Sequence, residues 1–398
     1  PFPNHPNLSG GFAPIQMECD VHDLVVVGDV PQDLNGSFYR NGPNPQYAPR
    51  GHYHWFGGDG MVHAFHIEDG QVDYRNRWVR TVKWHKERAA GRSLFRAFNP
   101  MDNDPSVAGL ETDGVANTNI IWHGGKLLAL EEGHAPFELD PHTLESVGPH
   151  RYGGKLKGPM TAHPKIDPEN GEMLFFGYNA NGTISEHMTF SVVDKDGNLL
   201  RSESFAAPYA AMVPDFIVTR DHVIFPIMPL TGSLERAFEG GPVYAWEPDK
   251  GSHIGIMPRH GSVQDLQWFY GEASYVFHPM NAHTTDDGKI VCDVCEYPEA
   301  PLFPGVDGKP GDPKKALAKL ARWTFDLNAQ TDRYQVEQLH DLVCEFPRID
   351  ERRAGLPYRF GYIAGDTRPA AKVGGFNIIA AVDHHKGTLS SYDVGEGC

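Results

Sequence analysis

Hydrophobic and polar positions fall in short apolar or alternating runs, broken repeatedly by glycine, proline or Asx-Gly pairs. That is the punctuation of strands and tight turns rather than of helices. His66-Ile-Glu-Asp-Gly-Gln-Val-Asp-Tyr74 predicts strand, Asp-Gly turn and strand, and Ile120-Ile-Trp-His-Gly-Gly-Lys-Leu-Leu-Ala-Leu130 predicts a second hairpin about Gly124 and Gly125. The signal recurs at Asn170-Gly171, Asp196-Gly197, Asp287-Gly288 and Lys386-Gly387. Helix is expected in only two places: residues 83–98, rich in Lys, Arg and Ala, and residues 313–320, where Pro313 suits a first turn. The pattern therefore predicts an all-β chain. Irregularly spaced hairpins with no shift in composition suit a β-propeller or a large barrel, taken as a single domain over residues 1–398. A last hairpin is expected from residues 376–383 and 388–393. The sequence then stops at Cys398 with no closing element, which predicts an incomplete last blade and a missing C-terminal portion.

Composition narrows the functions. The 398 residues are 40% hydrophobic and 11% aromatic, as in a globular protein. With 35 Lys and Arg against 52 Asp and Glu, the net charge of −17 repels phosphate backbones and anionic lipid headgroups, so nucleic acid is not an expected partner. No run of about 18 apolar residues could cross a bilayer, and residues 1–11 have neither a basic start nor an apolar stretch, so a cytoplasmic location is expected. Five cysteines, at 19, 292, 295, 344 and 398, form no disulfide framework. Cys292-Asp-Val-Cys295 has redox or zinc spacing, but it lies in a strand-like run that would turn the two thiols to opposite faces. The 21 histidines justify a search for metal ligands.

Two of them share a local setting, Thr161-Ala-His163-Pro164-Lys165 and Tyr275-Val-Phe-His278-Pro279-Met-Asn281. Proline bars the helical region to the residue before it and removes the next amide donor, so each imidazole sits on extended backbone where a ladder ends. These segments, with Leu34-Asn-Gly-Ser-Phe-Tyr-Arg-Asn-Gly-Pro-Asn-Pro45, His54-Trp-Phe-Gly-Gly-Asp-Gly-Met-Val-His-Ala-Phe65 and Glu345-Phe-Pro-Arg-Ile-Asp350, resemble the carotenoid cleavage oxygenases and their lignostilbene-cleaving branch nearly end to end. The resemblance implies a seven-bladed β-propeller with a small helical cap. It also implies one Fe2+ held by four histidines, and cleavage of a conjugated C=C bond by O2 into two carbonyl products. The substrate would be small, apolar and conjugated.

Carried over by residue, His163 and His278 resemble two of the iron ligands. A third should precede Asp-Phe, but Met212-Val213-Pro214-Asp215-Phe216 has proline there, and the family's fourth lies beyond the point where this sequence stops. Asp215 would need a bulge to take the vacant place, and His222 and His283 have no counterpart among the family's ligands. Glu132 and Glu345 resemble carboxylates that hold ligand imidazoles from behind. Glu131 stands where the lignostilbene branch has a lysine for the substrate phenol, and Phe98 where it has a tyrosine. Both changes remove donors to a phenolate, which makes an apolar polyene or apocarotenoid plausible beside a stilbene. Phe56, Phe98, Phe277 and Phe303 could line an apolar tunnel. Gly57-Gly58-Asp59-Gly60 lacks the Lys-Ser/Thr of a phosphate loop and is expected to be a tight turn. The rival expectation is a propeller that has lost its metal and binds a hydrophobic ligand or a partner. A metal-independent hydrolase finds no nucleophile, histidine and acid arrangement.

Overall fold

The computed structural model describes residues 1–368 and 375–395, which form two compact units, Pro1–Ala162 with Asp194–Leu199, and His163–Val193 with Leu200–Cys398. Cys398 lies outside the described residues.

The first unit contains two four-stranded antiparallel sheets. One is ordered Cys19–Val21, Gln71–Trp78, Gly60–Glu68, Gly36–Pro43, and the other Asn119–His123, Lys126–Leu130, Phe137–Leu139, Ser146–Pro149. The predicted Asp-Gly hairpin pairs Glu68 with Gln71, and the turn needs φ of +51° at Asp69 and +81° at Gly70, which glycine adopts without a Cβ clash. The Gly124 turn likewise takes positive φ at Gly124 and Gly125, and it adds a close approach: a Cβ on Gly124 would lie 2.5 Å from Gly197 Cα. Val62, Ala64, Leu127, Ala129, Phe137 and Leu139 alternate inward along these strands and form one buried cluster.

The helix expected over residues 83–98 stops early, at Val82–Ala90. Gly91, at φ +66°, donates to Glu87 O as a left-handed cap. Beyond it the amides of Leu94 and Phe95 donate to the Glu87 carboxylate instead of to the helix ladder. The helix expected over residues 313–320 does not form. A single turn closes with Ala316 N on Asp312 O, and Leu320 enters the strand Lys319–Phe325 opposite Cys295, so sheet pairing overrides the local propensity. A short helix that the pattern did not signal, Leu234–Phe238, is capped by the Ser233 hydroxyl.

The second unit holds two more four-stranded sheets, built from Lys165–Ile166, Met173–Gly177, His187–Val193 and Leu199–Ala206, and from Ile217–Val218, His222–Ile227, Ser252–Pro258 and Gln267–Gly271. Its largest sheet has seven strands, running from Tyr275–Thr284 through Ile290–Tyr297, Lys319–Phe325, Gln335–Ile349, Phe360–Asp366 and Ile378–Asp383 to Thr388–Asp393. Two meanders share the long strand Gln335–Ile349: its first part pairs with Lys319–Phe325, and Val343 to Ile349 pair with Phe360–Asp366. The predicted last hairpin is present, with Asp383 opposite Thr388. Phe176, Phe216 and Phe225 pack ring to ring at 5.1–6.3 Å in the core of this unit. Cys292 and Cys295 are buried and free in Ile290–Tyr297, with Cys295 Sγ 4.0 Å from Cys344 Sγ.

Candidate functional site

His163 lies two residues before the strand Lys165–Ile166, and His278 lies in Tyr275–Thr284 where the ladder slips between Val276 and Pro279 and again before Asn281. Pro279 has no amide hydrogen for the ladder, and the bulge re-aims the histidine before it. The two rings lie 5.2 Å apart between centroids, at 81° to each other. An imidazole nitrogen sits ~2.1 Å from a divalent metal and about 1.2 Å from its own ring centre, so a shared ion is ~3.3 Å from each centroid. At that radius the observed separation lets both imidazoles reach one divalent ion.

Glu345 fixes the second ring. Its Oε2 is 2.7 Å from His278 Nδ1, and its Oε1 accepts from Tyr297 OH at 3.1 Å. The carboxylate is placed by a second bulge, between Glu345 and Arg348, where Phe346 takes φ +51° and lays its ring 5.3 Å from that of His278. A proton held on Nδ1 leaves Nε2 as the donor atom toward a metal. Burial pushes the His163 imidazole well below its ordinary value, with His278, Lys165 and Arg348 adding to the effect, so it is neutral. His278 is also desolvated, but the Glu345 carboxylate together with Asp215 outweighs burial and raises its pKa.

Asp215 does not join the two imidazoles as a ligand. Its carboxylate is buried and accepts from Lys165 Nζ at 2.7 Å, and from the Phe216 amide at 2.7 Å. Burial pushes its pKa up against the pull of Lys165. Sequence reasoning missed Lys165, although its position two residues after His163 on extended backbone puts both side chains on one side. Among the described residues no group of three or more His, Cys, Asp or Glu is arranged to hold a metal ion. His222 begins the strand His222–Ile227, and His283 lies near the far end of the strand that carries His278.

The other singled-out residues fall as follows. In the first unit Phe56 and Phe98 both pack edge-on against His54, at 4.9 and 4.8 Å, and lie 6.4 Å from each other. Burial, helped by His52, lowers the His54 pKa to about 4, so it serves here as a neutral ring. Phe98 holds φ +58°, a costly conformation for an aromatic residue that surrounding contacts must enforce. Glu131 is hydrogen-bonded to His134, and a Cβ on Gly114, at φ +86°, would come within 2.7 Å of His134 Nδ1. Glu132 is half-buried just past the strand Lys126–Leu130. In the second unit Phe303 is buried against Tyr244 at 6.4 Å, and Phe277 packs on Tyr275 at 4.9 Å.

A family model described as RPE65, retinal pigment epithelial membrane protein, matches residues 12–398. The chain belongs to this family, the carotenoid cleavage oxygenases. It is 43% identical over 393 residues to an isoeugenol monooxygenase of Pseudomonas putida, covering 96% of this chain and 82% of that protein. With lignostilbene-alpha,beta-dioxygenase isozyme III of Sphingomonas paucimobilis the identity is 38% over 370 residues, 91% of this chain and 75% of the relative. The crystal structure of the lignostilbene dioxygenase of Pseudomonas brassicacearum superimposes with a TM-score of 0.93 at 37% identity, over all of this chain and 85% of that one. These matches bear out the all-β fold class built of propeller-type blades. Among the described residues no helix is long and apolar enough to cross a membrane.

Proposed function

We propose that this chain is an Fe2+-dependent oxygenase that splits a conjugated C=C bond, adding both atoms of O2 to give two carbonyl products. The observation that carries the reading is the perpendicular His163–His278 pair with Glu345 behind it. His163 and His278 would hold the metal, and ferrous iron bound there would activate O2 toward the alkene, whose C=C bond supplies the electrons that O2 takes up. The fit is to two positions of such a centre: Pro214 offers no donor, and Lys165 holds Asp215.

The chain's own residues do the rest. Glu345 keeps the proton on His278 Nδ1, and the buried Phe277 ring covers one side of His278 while the exposed Phe346 ring packs beside it. Glu132 is assigned the corresponding backing role by resemblance. By the sequence reading, Phe56, Phe98 and Glu131 in the first unit and, separately, Phe303 in the second are assigned to contact with an apolar conjugated substrate, Glu131 with its polar end. Relatives 43% and 41% identical are isoeugenol monooxygenases, which supports a small aromatic alkene over a long polyene. A hydrogen-bonded carboxylate and imidazole can accept from and donate to a neutral phenol, whereas a phenolate would be repelled by Glu131. Reading the whole chain as one propeller domain working in the cytoplasm belongs to the same proposal.

Anaerobic loading with Fe2+ followed by isoeugenol and O2 tests it. Aromatic aldehyde should form, and His163→Ala and His278→Ala should abolish it. If the wild-type chain takes up no iron and releases no aldehyde from isoeugenol, stilbenes or apocarotenals, the oxygenase reading fails. Pro214 favours one alternative, a metal-depleted propeller that keeps a hydrophobic ligand without turning it over.

A further inference from the structure

Lys83, Asp59 and Glu87 are all buried in the first unit, at 9%, 1% and 1% exposure. Lys83 Nζ donates to Asp59 Oδ1 at 2.7 Å and to Glu87 Oε2 at 2.9 Å, joining two segments distant in sequence. Each carboxylate holds one of them. Asp59 closes the turn that follows Phe56, and its other oxygen accepts from Gln46 N at 3.1 Å. Glu87 Oε1 accepts from the Ser93 hydroxyl at 3.2 Å and from the amides of Leu94 and Phe95 at 2.8 and 3.1 Å, which anchors the loop leading to Phe98. The two segments also touch directly, since a Cβ on Gly57 would stand 2.5 Å from Ala97 Cβ.

An isolated buried charge is costly, so a buried lysine shared by two carboxylates is stable only while all three keep their partners. That condition fixes the spacing between the loop of Phe56 and the loop of Phe98, and it supplies the rigidity that the φ of +58° at Phe98 requires. We infer that Lys83, Asp59 and Glu87 are positioning residues that hold Phe56 and Phe98 as one preformed aromatic platform for the substrate. The inference rests on the proposal that these two rings contact substrate.

Binding of isoeugenol to the metal-free protein, followed by calorimetry and by the fluorescence of neighbouring Trp55, tests the device separately from turnover. Phe98→Ala should weaken binding on the order of tenfold, the loss expected for an aromatic contact. Glu87→Ala should weaken it comparably, and the double variant should bind no worse than Phe98→Ala alone. Glu87→Gln, which keeps an oxygen for the loop amides, should recover most of the loss. Should Glu87→Ala fail to fold, Gly57→Ala presses on Ala97 without touching the ion cluster and should weaken binding several-fold. If Phe98→Ala weakens binding while Glu87→Ala or Gly57→Ala lowers only Tm, the positioning role is overturned. If Phe98→Ala binds like the wild type, it is the substrate-contact reading that falls.

Discussion

The His163–His278 region and the Phe56–Phe98 region are built by opposite means. His278 sits on a strand and His163 just before one; the aim of His278 comes from bulges at His278-Pro279 and after Glu345, with a carboxylate bonded directly to its ring. The aromatic rings sit outside the strands, Phe56 in a short turn and Phe98 in a loop, and their spacing comes from the ion cluster of Lys83, Asp59 and Glu87. A strand-borne site is disabled by changing what it touches. A loop-borne site is disabled by changing what ties the loops together, and the two can therefore be broken independently.

The largest effect is expected at the ion cluster. Lys83→Met would leave Asp59 and Glu87 as uncompensated buried charges, a loss of about 3–5 kcal/mol of stability that thermal or urea unfolding would reveal. An unchanged Tm would show that water reaches the carboxylates and that the cluster is not a clamp. Glu345→Ala acts in the other region and should lower metal affinity roughly 10–100-fold, the usual consequence of removing the group behind a ligating histidine. Co2+ titration followed by absorbance measures it, and unaltered affinity would remove Glu345 from any metal role. Pro214→His should move the same titration the opposite way, tightening binding on the order of tenfold by supplying a third imidazole. No gain would mean that residue 214 does not face the histidine pair.

The two regions also differed in how far they could be read from the chain. His163 and His278 were legible because a histidine before proline carries a backbone signal, and Glu345 because it adjoins Phe346-Pro347 in a motif. The hairpins were legible because Asp69-Gly70 and Gly124-Gly125 adopt positive φ with ease. The aromatic platform was not, since residues 83–98 have helical composition throughout and the break depends on where the Glu87 carboxylate points. Lys83 carried the same ambiguity: its exposed-looking sequence setting hides a side chain that two distant carboxylates draw inward. Residues 313–320 failed for the same kind of reason, a local helical preference overruled by pairing with the strand Ile290–Tyr297. Asp215 was legible as a carboxylate near the centre, but its capture by Lys165 depends on a contact 50 residues apart.

The smallest effect separates a third element, the Glu131–His134 pair, from both regions. The His134 ring is desolvated, yet the bonded Glu131 carboxylate and nearby Asp113 outweigh burial and raise its pKa above the ordinary 6.5. A raised pKa means the folded state binds the proton more tightly than the unfolded chain does. The pair's contribution is therefore complete below about pH 6.5 and is lost as pH rises through the folded-state value. Because the His134 side chain is 37% exposed, solvent screening limits the contribution to ~0.3 kcal/mol. Tm measured between pH 5.5 and 8.5 should fall slightly more for the wild type than for Glu131→Gln, which removes the charge and nearly preserves the shape. A Glu131→Gln profile that tracks the wild type throughout would show that the proton on His134 is not shared with Glu131, and with it would go the case that this pair can meet a neutral phenol as both donor and acceptor.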